Sequence, residues 1–61
     1  MLDEEYLHFQ DRVQDVKTPE QVKRLRDELE ALHEMDPEDP DPPNLRSSLD
    51  LIANANPQLH G

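Results

Sequence analysis

Proline placement limits this chain more than any other feature. Six prolines stand among 61 residues, and four of them fall in one stretch, MDPEDPDPPN, residues 35–44. Proline has no amide donor and pushes the residue before it out of the helical region, so it belongs at helix starts, in turns or in linkers. Breaks are therefore expected before Pro19, around Pro37 and at Pro57. The stretches between them are long enough for helices, and none reads as a central strand.

Apolar spacing agrees with that division. Leu2, Tyr6, Phe9, Val13 and Val16 recur at intervals of four and three, one face of a helix over residues 3–16. Asp3, Glu4 and Glu5 occupy its first turn, where the helix dipole favours negative charge, and Lys17 follows its last. The sequence Thr18-Pro19-Glu20-Gln21 reads as N-cap, first helical position and capping-box partner of a second helix. Its stripe is Val22, Leu25, Leu29 and Leu32, with Met35 near the end, and Pro37 stops it at about residue 35. Only Lys17 and Thr18 separate the two helices, which predicts an antiparallel hairpin with facing stripes.

A third, shorter stripe, Leu45, Leu49 and Ile52, predicts a helix within residues 44–56, followed by a loose tail over 57–61. Residues 36–43 read as an extended acidic spacer. Eight residues of polyproline II span roughly 25 Å, about the length of the 17-residue second helix. Such a spacer could return the third helix to its own hairpin or carry it to a neighbouring chain. The pattern Pro37–Pro40 resembles a minimal PxxP ligand but has no nearby Arg, which favours the spacer. The expected fold is all-α: an antiparallel helical hairpin over 1–35 and a short third helix after an extended acidic Pro-rich linker. It forms one small domain, as a three-helix bundle or an oligomeric helical assembly.

Composition then bounds function. A chain of this size buries only about 60% of its unfolded surface, and with no cysteine it has no disulfide to staple it. Packing or association must supply the stability. Fifteen acids against six bases give a net charge of −9. That charge disfavours nucleic acid and anionic membrane as direct ligands and favours a protein partner with a basic surface. It is uneven: residues 1–16 and 36–44 each carry −4, residues 17–35 carry −1, and residues 45–61 are neutral. No run approaches the ~18 apolar residues of a membrane span. The N-terminus lacks a signal peptide's basic start and apolar core, which predicts a cytoplasmic location.

Two Glu-x-x-His sequences are the candidates for chemistry, Glu5–His8 on the first helix and Glu30–His33 on the second. The i, i+3 spacing puts carboxylate and imidazole on one face, as in helical di-iron sites. On the heptad frame these residues fall on flanks rather than the seam, so no metal and no cofactor is expected. Thr18, Ser47, Ser48 and Tyr6 supply the hydroxyls without a catalytic set, and no enzymatic activity is expected. The bases Lys23, Arg24 and Arg26 precede Asp27, Glu28 and Glu30 by four, which predicts a salt-bridged solvent face.

Expected partner-binding residues are the acids Asp11, Asp15, Asp36, Glu38, Asp39 and Asp41, with the off-stripe Leu7 and Leu51. The reading is a small acidic interaction module that modulates a protein partner, as an inhibitor, adaptor or antitoxin-like factor does. The alternatives are a homo-oligomeric assembly component, such as a phage or scaffold protein, and a metal-binding helical protein.

Overall fold

A computed structural model describes residues 1–59. Three α-helices follow in order: α1 (Asp3–Gln14), α2 (Pro19–Met35) and α3 (Asp41–Ala55), then one 3-10 turn, Pro57–Leu59. The fold is all-helical, with no strand among the described residues. No described helix is long and apolar enough to cross a membrane.

α2 has the limits that its sequence signals set. The Thr18 hydroxyl accepts from the Gln21 amide at 3.2 Å. The Gln21 side chain accepts from Lys17 N–H at 2.7 Å, one residue earlier than an ideal capping box. At the other end Asp36, before Pro37, leaves helical geometry (φ −142°, ψ 82°), and its N–H still bonds Leu32 O at 3.1 Å.

α1 stops at Gln14, two residues short of the expected end. Pro19 holds Thr18 extended (φ −131°, ψ 152°), so the chain must leave helical geometry before it. The connection is four residues, 15–18, and Val16 uses it to turn into the core at 8% exposure.

The largest departure lies in the proline-rich stretch. The expected spacer over 36–43 is only 36–40, because α3 begins at Asp41 with Pro42 and Pro43 inside its first turn. Helix starts leave early amides without partners. Here Pro40, Pro42 and Pro43 have none to leave, and the one remaining donor, Asp41 N–H, bonds the Asp39 carboxylate at 3.0 Å. The regular ladder then begins with Asn44 N–H to Pro40 O at 3.1 Å. Polyproline geometry gains nothing comparable. The reversal is a tight turn in which Asp39 N–H bonds Asp36 O at 3.2 Å, with Pro37 fixing the backbone between them.

α3 runs back antiparallel to α2, and the ion pairs Arg26–Asp50 and Glu30–Arg46 record the register. It packs against α2 most extensively, then against α1, while α1 and α2 meet each other less. The expected face-to-face seam between the first two helices is thus replaced by a core that both share with α3. Val13, Val16, Val22, Leu25, Leu29, Leu45, Leu49, Ala53 and Leu59 are buried, with Tyr6, Phe9 and Ile52 against them. The tail is not loose as far as Leu59, which is 4% exposed in that core. The Asn56 side chain bonds Ile52 O at 2.8 Å and turns the chain inward. The remainder of the expected tail, residues 60–61, lies outside the described residues.

Candidate functional site

The open side of the α1–α2 pair is a groove of about 500 Å³. Its apolar lining is Phe9 from α1 and Ala31, Leu32 and Met35 from α2. Glu4, Glu5, His8 and Glu28 complete it. The groove exists because α3 covers only one side of the pair. Helical spacing puts Leu29 toward the core and Leu32 and Met35 progressively around the other side of α2. Leu32 is half-buried, and Met35 is 83% exposed.

Arg12 closes the end of the groove nearest the α1–α2 connection. Its guanidinium is 5.4 Å from the Phe9 ring centroid. It also holds both oxygens of Glu28, at 2.6 and 3.5 Å. This bidentate pair joins α1 to α2 and fixes the ring from one side. The His8 ring meets Phe9 edge-on at 6.5 Å. Glu4 and Glu5 are exposed and make no ion pair among the described residues.

The two Glu-x-x-His sequences do not converge. Glu5 and His8 line the α1–α2 groove, whereas Glu30 and His33 line a second one between α2 and α3, beside Pro42, Pro43 and Arg46. Glu30 pairs with Arg46 at 3.4 Å. Among the described residues no group of three His, Cys, Asp or Glu side chains is placed to hold a metal ion.

The expected partner-binding residues scatter. Leu7 and Asp11 are exposed on α1 and line neither the groove nor the core, apart from Asp11 at a shallow surface hollow. Asp15 is exposed and lies 3.9 Å from Lys17. Asp36 and Glu38 are exposed on the turn, and Leu51 is 71% exposed on α3. Asp39 and Asp41 are engaged within the chain. The Met1 ammonium lies 2.7 Å from Asp39 and 3.7 Å from Asp41. Hydrogen bonding from the ammonium, then from Asp41 N–H, holds the Asp39 carboxyl below its usual range. The Asp39 hydrogen bond raises the Met1 amine against the opposing effect of burial.

The expected i, i+4 pairs give way to pairs between helices. Arg26 reaches Asp50 at 2.9 Å, Glu28 takes Arg12, and Glu30 takes Arg46. Sequence spacing could not find these, because each joins residues at least sixteen apart. The groove residues Phe9, Leu32 and Met35 are visible in sequence only as core positions. The one hint of another role is that the three-residue steps from Leu29 to Leu32 to Met35 rotate the α2 stripe away from the face that Leu25 and Leu29 share. Comparison with known proteins finds no matching family model, no matching curated protein and no matching solved structure.

Proposed function

We propose that this protein is a small acidic helical interaction module that binds a protein partner and modulates it, as an inhibitor or adaptor does. The observation that carries this reading is apolar side chain left over after the core has closed. Met35, Leu51, Leu2 and Leu7 are 83%, 71%, 70% and 58% exposed on a chain of 61 residues. Leu2, Leu7 and Leu51 stand singly, but Met35 continues the apolar lining of Phe9, Ala31 and Leu32, and a contiguous apolar surface of this kind supports a protein contact. The net charge of −9 selects partners with basic surfaces and raises the rate of encounter with them. The test is cross-linking of the full chain in its source cells, followed by intact-mass analysis. The expected result is a discrete stoichiometric complex, and recovery of the free chain alone overturns the reading.

A second reading, self-association, rests on α3. Asn44, Ser47, Ser48, Leu51, Asn54 and Ala55 follow helical spacing along its outer side, and all are exposed and uncharged. Two molecules of charge −9 meet there without opposing carboxylates. Sedimentation equilibrium decides: a micromolar dimer that Leu51→Glu dissociates supports self-association, and a monomer removes it.

A further inference from the structure

We infer that the α1–α2 groove is the docking site for an amphipathic helix whose flanks carry Lys or Arg. This inference rests on the interaction-module reading and names the surface and the chemistry of the partner.

Four observations choose the occupant. The groove is lined by only two helices, with α3 on their other side, so it occupies the place of a fourth helix in a bundle. Along α2 it runs from Glu28 to Met35, seven residue steps or about 10 Å, which accepts apolar side chains from two turns of a helix at i, i+3 or i+4, and i+7. Phe9, Leu32 and Met35 offer an aromatic face and two flexible side chains, a lining that repacks around Leu or Phe anchors. The open end is marked by Glu4 and Glu5, which no cation of the described chain neutralises, whereas Arg12 and Glu28 already satisfy each other at the closed end. Charge complementarity therefore places basic side chains of the partner beside Glu4 and Glu5. The same carboxylates repel an anionic membrane and a second copy of this chain.

The test uses the full chain, labelled with 15N, and a synthetic helical peptide of about fifteen residues with a Leu/Phe edge and Lys/Arg flanks. Shifts confined to residues 4–12 and 28–35 are expected. Met35→Glu should abolish binding, and because Met35 is 83% exposed the fold should persist, checked by circular dichroism. Glu4→Gln with Glu5→Gln should weaken binding about three- to tenfold at low salt, and less at high salt. Shifts at the 36–40 turn or on α3 overturn the groove assignment but leave the interaction reading standing. Equal affinity for a peptide with Glu in place of Lys/Arg overturns the charge argument. Absence of binding at millimolar peptide, or a dimer dissociated by Met35→Glu, overturns the inference altogether.

Discussion

Leu49 and Met35 show how unequally single side chains contribute here. Both are apolar, and both lie on stripes of helical spacing. Leu49 is 0% exposed in the core that the three helices share, and Met35 is 83% exposed. Truncating a buried Leu to Ala costs about 3–4 kcal/mol in lost transfer energy and cavity. A domain this small has a total stability of about 3–5 kcal/mol. Leu49→Ala is therefore expected to leave the chain largely unfolded at 25 °C by circular dichroism, while Met35→Ala changes the unfolding free energy from urea titration by no more than about 0.5 kcal/mol. What separates them is rotation: the three-residue steps from Leu29 to Leu32 to Met35 carry the stripe about 120° around α2, away from the core, although α3 begins level with Met35.

At the scale of elements, helix starts decide the architecture. The Thr18 cap is visible in sequence, and Thr18→Ala is expected to cost about 1 kcal/mol, measured by chemical denaturation. The start of α3 depends instead on Asp39, which serves both Asp41 N–H and the Met1 ammonium. Its carboxyl is held below its ordinary 3.8, so that contribution is present above about pH 4 and is lost as pH falls through the lower folded value. The Met1 amine is raised above 8.0, so its contribution is complete below pH 8 and is lost as pH rises through the higher folded value. Melting wild type and Asp39→Asn across the pH range should show the largest difference in Tm between about pH 5 and pH 7, shrinking on both sides. A difference independent of pH would show that the charge of Asp39 contributes nothing to stability.

For the molecule as a whole, charge and surface work against compactness. The Cα radius of gyration is 11.1 Å, and the principal extents are 32 × 20 × 15 Å. A compact domain of 61 residues has a radius of about 10.5 Å. The accessible area, 4483 Å², exceeds the roughly 4,100 Å² of a typical folded monomer of this mass, in keeping with an open groove. Three arginines tie the helices together through half-exposed pairs, each worth about 0–1 kcal/mol. Arg26 adds little beyond this, since its Nε is shielded without a partner. Fifteen acids against six bases leave a net self-repulsion that salt screens. Tm is therefore expected to rise between very low salt and about 0.15 M NaCl. A fall over that range would show that the ion pairs dominate.

The sequence by itself determined what acts over a few residues. Proline positions, the Thr18 cap and the apolar period set the number of helices, both limits of α2 and most of the buried side chains. Tertiary structure alone decided how those helices share one core. Two prolines in a row fit a polyproline spacer and a first helical turn equally well. The choice fell to the helix because Asp39 accepts the only amide that the prolines leave and Pro42 buries against the bundle. That choice shortened the connection to five residues, laid α3 along α2, redirected the charged pairs between helices and left one side of the α1–α2 pair uncovered. Burial is settled by all three helices together, so the groove is a property of their arrangement and not of any one segment.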